Sequence, residues 1–379
     1  MQDCKMVKIG IFSITFYPSV EYGGPVAVAA NHAKGLQARG LDVKIITSDI
    51  LEIKSNRRLP VGESQNEELK VCRFRTANTT KSYRGLILYD YIKLWRSIRD
   101  IDICHVHFSR EPLPVLFCFI ILILRKKLYV QTHGMLYTSS FLKSVLDRLI
   151  IGRVLSSAEA VFALHETEKK YLKSRFSLSN IELLPNGIEI KNKELSDIQD
   201  RNEKIIFLAR LSPRKRVDLF LESAKILLAE GEYQFEIYGP DGGDADYVNE
   251  FIANNGLGHS IKYFGEVSNN DSLKIFQNSK IYVLPSDNEP FPMSLLEALS
   301  CGIPSIITDS NQISDLVMEK ESALVCRGAP VEIADAIRYL SKNDSARKKI
   351  SENGRMLIRD KLSADIVTSK LVSAYGVKQ

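Results

Sequence analysis

The sequence predicts two α/β domains, each a doubly wound, Rossmann-like parallel sheet. Three observations carry that prediction. Short apolar runs alternate with helix-length amphipathic segments from the N-terminus onward, which is the β-α-β order of a parallel twisted sheet. The same order restarts after a charged stretch of low hydrophobicity at 189–204, which reads as a linker. The chain has 379 residues, more than one ordinary core accommodates.

In chain order, the first strand is read at 7–15. The loop F-Y-P-S-V-E-Y-G-G-P then opens a helix at 26–38, closed by Arg39-Gly40, and a strand follows at 41–47. The first turn holds Gly23-Gly24 but no G-x-G-x-x-G, so a nicotinamide or flavin dinucleotide fold is not supported. Adjacent glycines before a helix let backbone approach a phosphate; an ordinary loop is the other reading. Residues 52–70 read as a polar surface excursion, 71–75 as a strand and 87–98 as a helix. The strand at 101–108, I-D-I-C-H-V-H-F, sets His105 and His107 on one face. A metal there needs a third ligand, and the sequence shows none, so the pair reads as core or site-lining. The run V-L-F-C-F-I-I-L-I-L at 115–124 is about half of the ~20 residues a spanning helix requires. It reads as a buried helix, with contact to a membrane surface as the alternative. A strand at 128–131 delivers Thr132-His133-Gly134, so His133 stands at a strand's carboxyl end, where ligands bind; a structural histidine is its other reading. A helix at 142–156, a strand at 160–164, a helix at 166–174 and the segment 181–188 complete the first half.

The second half begins with a strand at 205–209, the loop R-L-S-P-R-K-R and a helix at 217–229. A strand at 235–238 ends in Gly239-Pro240 and a Gly/Asp-rich loop, followed by a helix at 247–254. A strand at 261–264 precedes Gly265-Glu266-Val267 and a helix at 272–277. The strand at 281–284 then leads into P-S-D-N-E-P-F-P and a short apolar helix. Proline is harmless at that helix start, Gly302 suits its left-handed end, and Pro304 blocks continuation before a strand at 304–308. A helix at 331–340 and a long helical region at 344–375 close the chain.

Composition excludes several classes. With 45% hydrophobic and 26% charged residues the chain is neither disordered nor fibrous. No signal peptide is evident, because the first apolar run, 7–12, is short. Six scattered cysteines without a C-x-x-C pair argue against a disulfide frame or a zinc site and for a reducing, cytoplasmic compartment. Residues 1–190 carry 27 Lys+Arg against 18 Asp+Glu, whereas the remainder carries 24 against 28. A basic half suits an anionic membrane surface. No helix-turn-helix, RNP-type or zinc-finger signature accompanies it, so no nucleic-acid partner is expected.

The chemistry concentrates in two constellations. Glu289 lies in a loop beyond a strand's carboxyl end, and Glu297 lies eight positions on, one to two turns inside the helix. At roughly 100° per residue both carboxylates can face one ligand. The amides around Phe291, Met293 and Ser294 offer donors to an anion or hydroxyl. Solvated glutamates on a capped surface helix are the alternative. Arg210 and Lys215 follow another strand; a forked guanidinium and a point ammonium suit a diphosphate, with Arg214 and Arg216 as the solvated neighbours. Diphosphate and sugar hydroxyls together describe a sugar nucleotide.

Y-G-G-P, T-H-G-M-L, L-P-N-G-I, A-R-L-S-P-R-K-R, F-G-E-V and L-P-S-D-N-E-P-F-P-M-S-L-L-E-A-L-S-C-G-I-P occur in this order. Through them nearly the whole chain resembles the retaining glycosyltransferases of family 4 (group 1), which have the GT-B fold; the last stretch is that family's E-x7-E motif. The segment after His133 also looks like bacterial enzymes that build surface polysaccharides and O-antigens. The resemblance implies two Rossmann-like domains facing across a cleft: 1–188 for the acceptor, with 360–379 crossing back onto it, and 205–359 for the nucleotide sugar. It implies that Glu297 binds ribose hydroxyls, Glu289 contacts the donor sugar near the amides of Phe291, Met293 and Ser294, and Arg210 and Lys215 neutralise the diphosphate. Gly24 would meet that diphosphate from the other domain, His133 would contact the donor sugar, Val267 would lie at the base, and Gly239 would belong to the donor site.

Two departures from the family pattern stand out. Pro290 and Pro292 flank Phe291 where glycines are usual, which removes two amide donors, and Arg216 replaces a usual glycine after the lysine. The expectation is metal-independent transfer of a sugar from a nucleoside-diphosphate sugar to a saccharide or polyprenyl-linked saccharide. No cofactor or metal is expected, and Asp244-x-Asp246 is discounted as a polar loop. The enzyme would lie in the cytoplasm or at the cytoplasmic face of a membrane. A nucleotide-sugar epimerase would leave the E-x7-E helix unexplained, and a non-catalytic binding protein would not need His133, Arg210, Lys215, Glu289 and Glu297 together.

Overall fold

A computed structural model describes residues 6–19, 22–137, 147–190 and 202–377. It divides into two compact units, Met1–Glu189 with Ala364–Gln379, and Ile190–Ser363. Most of the 189–204 stretch read as a linker lies outside the described residues, as do Cys4 and the start of the helix read at 142–156.

The first unit is built on an eight-stranded sheet. Its order is Ile181–Leu183, Ala160–Ala163, Lys127–Gln131, Ile103–His107, Lys8–Phe12, Asp42–Ser48, Leu69–Phe74, Gly62–Asn66. All neighbours are parallel except the last pair, in which Glu63 faces Cys72 antiparallel. Interior strands such as Ile103–His107 are buried along their whole length, because helices cover both faces and every side chain must pack. The G-E-S-Q-N edge strand is polar and largely exposed, which discourages pairing with another chain. This corrects the reading of 52–70 as a polar surface excursion: an edge strand open to solvent can be polar throughout. The helix read at 87–98 begins only at Tyr91, since Ile87 belongs to a short strand, Leu86–Leu88, paired with Thr76–Asn78. The apolar run at 115–124 falls in the Pro112–Ile123 helix, whose Leu113, Phe117, Cys118, Ile120 and Ile121 are buried.

The second unit holds a wholly parallel six-stranded sheet. Its order is Ile261–Tyr263, Gln234–Tyr238, Lys204–Leu208, Ile281–Leu284, Ser305–Thr308, Leu324–Cys326. The last strand and the helix before it, Ser314–Glu319, are short and were not foreseen. The terminal helical region is interrupted. Asp344–Leu357 runs into one π-helical turn, and Ser363 is extended (ψ 147°) before Ala364–Tyr375. Among the described residues, Cys72, Cys104, Cys118, Cys301 and Cys326 are free thiols.

Candidate active site

In a parallel sheet the loops beyond the carboxyl ends of the strands form the ligand edge, and the crevice opens where the strand order reverses. In the second unit that reversal lies between Lys204–Leu208 and Ile281–Leu284. Arg210 and Lys215 follow the first of these strands, and Glu289 follows the other. Gly239 and Val267 follow the next two strands outward. Five predicted site residues therefore share one sheet edge.

Lys215 ends a 3-10 turn, Pro213–Lys215, and its Nζ lies 2.9 Å from Glu289 Oε2 with both side chains mostly buried. The cationic and acidic constellations thus meet directly. Arg216 adopts a left-handed conformation (φ 51°), which explains physically why glycine suits this position. Its guanidinium is not simply solvated, as the sequence suggested. It bridges Asp218 (2.9 Å) on the following helix and Asp287 (2.8 Å) in the glutamate loop. These two partners raise its pKa. The Asp287 amide donates to the Arg214 carbonyl (2.7 Å), and the Gln312 amide to the Glu289 carbonyl (3.0 Å), so the loop is pinned from both sides.

The helix begins at Met293, with Pro292 as its cap. Met293 and Ser294 therefore occupy the first turn, where amides have no intrahelical acceptor. Phe291, two residues before the helix starts, is buried. Tyr282, fully buried, lies 2.9 Å from Ser294 Oγ and 3.2 Å from the Leu208 carbonyl. Burial drives its phenol far above the ordinary range; the Ser294 hydrogen bond opposes this, and the Glu297 and Glu289 carboxylates add to it. Both glutamates therefore act on one buried ring. Tyr282 was missed from sequence, although a tyrosine inside the apolar strand I-Y-V-L needs a polar partner and was a usable signal. Gly239 has φ 138°, and a Cβ there would stand 1.9 Å from the Ala209 carbonyl oxygen, so only glycine fits between the adjoining strand ends. Val267 is half-buried just before the Asn269–Asn278 helix.

In the first unit the strand order reverses between Lys8–Phe12 and Ile103–His107. Gly24 is the first residue of the Gly24–Ala38 helix, and Pro25 the second. The preceding Tyr22 hydroxyl bonds Ser109 Oγ at 2.8 Å, tying the two loops that flank the reversal. His133 is buried, has φ 52°, and its Nε2 lies 2.7 Å from His107 Nδ1. Burial lowers its pKa to about 3, so the ring is neutral near pH 7. The turn that carries it is held by Glu168. One carboxylate oxygen accepts from Thr132 Oγ1 and the Gly134 amide (2.6 Å each), the other from the Leu164 amide (2.7 Å). Burial raises the Glu168 pKa, against the pull of these three donors. Glu168 was not legible in sequence, because an acidic residue in a helix's first turn ordinarily serves the helix dipole.

Residues 189–356 match the family model described as glycosyl transferases group 1, and 22–192 match glycosyltransferase family 4. N-acetyl-alpha-D-glucosaminyl L-malate synthase of Bacillus anthracis is 22% identical over 97% of this chain and 96% of its own. Poly(ribitol-phosphate) alpha-N-acetylglucosaminyltransferase of Staphylococcus aureus is 24% identical over 63% of this chain and 48% of its own. The chain spans about half the length of several curated relatives it matches. Anabaena HepE, solved with UDP and glucose, superposes with a TM-score of 0.76 at 16% identity, covering 98% of this chain and all of HepE.

Proposed function

The chain belongs to the group 1 glycosyltransferases of family 4 and has the GT-B fold, and from that premise we propose that it transfers a sugar from a nucleoside-diphosphate sugar to a saccharide or lipid-linked saccharide during surface-glycan assembly, with retention and without a metal at the reacting centre. One observation carries the reading: the Lys215–Glu289 ion pair at the order reversal of the second sheet. An ammonium has three donors, so Lys215 can hold Glu289 with one and meet a departing phosphate with another. Arg210 supplies the second positive charge, and the first-turn amides of Met293 and Ser294 add a positive helix end. Charge then builds on the leaving diphosphate against preorganised donors, the effect usually worth most in such sites. Glu289 would accept from donor-sugar hydroxyls and Glu297 from the ribose. Retention follows if the acceptor hydroxyl attacks from the leaving-group face, with the departing phosphate as base. HepE, crystallised with UDP and glucose, and the poly(ribitol-phosphate) alpha-N-acetylglucosaminyltransferase relative support this donor class.

Lys215→Ala and Glu297→Ala test the proposal. Each should lower kcat/KM roughly 30- to 1,000-fold, the equivalent of about 2–4 kcal/mol. Near-normal transfer by both variants would overturn it. A thermal-shift screen of UDP, GDP, TDP and ADP sugars identifies the base, since a ligand of the folded form raises its melting point.

A lipid-linked acceptor places the enzyme at a membrane surface. No described helix is long and apolar enough to cross a bilayer. The apolar helix at 112–123 is mostly turned inward, but Ile87, Tyr89, Tyr91, Ile92 and Trp95 are exposed together along 87–95, interleaved with exposed Lys93, Arg96 and Arg99. Aromatic and aliphatic side chains among cations suit an anionic interface, with about 1 kcal/mol for each Lys or Arg near the surface. The protein should float with anionic liposomes, and the double change Ile92→Ser/Trp95→Ser should return it to the soluble fraction. A wild-type protein that stays with the soluble fraction counts against membrane docking.

A further inference from the structure

The sequence offered His105 and His107 without a third ligand, and the fold supplies one. His32, on the Gly24–Ala38 helix, lies over the face of the Ile103–His107 strand that carries both. The three ring centroids form a triangle with sides of 5.6, 5.7 and 5.1 Å. One ring nitrogen from each lies within 4.8 Å of the others, and all three side chains are at least 98% buried.

The hydrogen bonding sorts the nitrogens. His105 Nδ1 is 2.6 Å from the Tyr375 hydroxyl, and His107 Nδ1 is 2.7 Å from His133 Nε2. Both Nε2 atoms, both ring nitrogens of His32 and the side-chain amide of Gln131, which neighbours His105 on the adjoining strand, are buried without a well-formed hydrogen bond. A metal-binding histidine has this pattern: the outer nitrogen donates to a neighbour, which fixes the tautomer, and the inner lone pair stays open. Unpartnered polar atoms gathered in one buried place are costly. Something polar therefore belongs at their centre.

We propose that His32, His105 and His107 bind one divalent transition-metal ion, zinc in the first instance, through one imidazole nitrogen each, with a water molecule as the fourth ligand, at a site next to His133. Neutral imidazoles without carboxylates suit zinc or its first-row neighbours rather than magnesium or calcium. Nitrogens on one tetrahedral zinc stand about 3.3 Å apart for bonds of about 2.0–2.1 Å. Each ring must draw inward by under about 1 Å from the 4.8 Å spacing. The ion would bind the Gly24–Ala38 helix to the Ile103–His107 strand. It would also keep the His107 proton on Nδ1, so that His107 donates to His133 Nε2 and His133 carries its own proton on Nδ1. The site is independent of the donor chemistry proposed above.

The test uses the untagged full chain, stripped with a chelator and then exposed to zinc or cobalt. After gel filtration, elemental analysis should find one equivalent per chain, and the cobalt form should show the visible absorption of a four-coordinate ion. Zinc should raise the thermal midpoint. His32→Leu, which removes the two unpartnered nitrogens of that ring, should lose the bound metal and the thermal shift. His259→Ala, a change at an exposed histidine of the second unit, should lose neither. A wild-type chain that retains no metal, or His32→Leu binding as much as wild type, overturns the proposal and leaves a buried water at the centre. If His32→Leu does not fold, the cobalt spectrum of the unaltered chain decides alone.

Discussion

At the scale of single residues, magnitudes decide what the departures from the family pattern do. Arg216 in a left-handed conformation costs about 1–2 kcal/mol relative to glycine. Its ion pairs to Asp218 and Asp287 are part-exposed, so each returns only about 0.2–1 kcal/mol after screening. Arg216→Gly should therefore shift stability by no more than about 1.5 kcal/mol. It should still cost roughly three- to tenfold in kcat/KM, because Asp287 and the Glu289 loop lose a tether. Wild-type turnover in that variant would show that the clamp is idle. Glu168 makes a prediction of opposite character. Its folded pKa is raised above the ordinary 4.5, so the native state holds the proton more tightly than the unfolded chain. The stability this confers is fully present below the unfolded value and is lost as pH rises through the folded one. Urea midpoints of wild type and Glu168→Gln, followed upward from about pH 4, should show wild type losing ground to the variant. A wild type that gains on the variant instead would mean that the three donors outweigh burial. The pairing of Lys215 with Glu289 could be anticipated from residue types, because opposite charges at the ends of two sheet strands have a reason to meet. His32 could not, because nothing local distinguishes a histidine that faces a ligand from one that faces a core.

At the scale of elements, legibility follows burial. The central strands read correctly because both faces are covered and the apolar run is unbroken, as in Ile281–Leu284. The Gly62–Asn66 edge strand and the short Leu324–Cys326 strand carry no such run, and both escaped notice. The Met293–Ser300 helix was legible from its prolines and Gly302, and with it the placing of Glu289 before the helix and Glu297 within it. Where two elements touch, a single glycine can be indispensable. Gly239→Ala puts a methyl group 1.9 Å from a backbone oxygen on the neighbouring strand, which cannot rotate away. It should destabilise the second unit by 3 kcal/mol or more, on the order of a large core truncation. Denaturation of the variant should show an early transition. An unchanged midpoint would mean that the strand ends can part at no cost.

At the scale of the whole molecule, the C-terminus decides which half the end of the chain stabilises. Sequence similarity put its return near 360, and the first unit takes it up at Ala364. The last helix, Ala364–Tyr375, buries Val367, Leu371, Val372 and Tyr375 in the core cluster of Ile9, Ile11, Val26 and Ala29. Its approach is close. A Cβ at Gly35 would meet Thr368 Oγ1 at 2.1 Å, and one at Gly187 would meet Val367 Cγ2 at 2.9 Å. Four buried side chains at about 1.5–3 kcal/mol each amount to roughly 6–12 kcal/mol, the size of a domain's net stability. A chain ending at Ser363 should therefore lose the cooperative unfolding of its first unit and keep that of the second, whose six sheet strands all lie between Lys204 and Cys326. On the proposed function, which needs Gly24 and His133 of the lost unit, transfer should vanish, while a nucleoside diphosphate should still bind the second unit through the proposed Arg210, Lys215 and Glu297 contacts and raise the remaining transition. Calorimetry of the truncated chain with and without the nucleotide separates these outcomes. Survival of both transitions would show that the first sheet does not need the helix that closes it. Loss of nucleotide binding with the second transition intact would show that the donor site is not confined to the second unit.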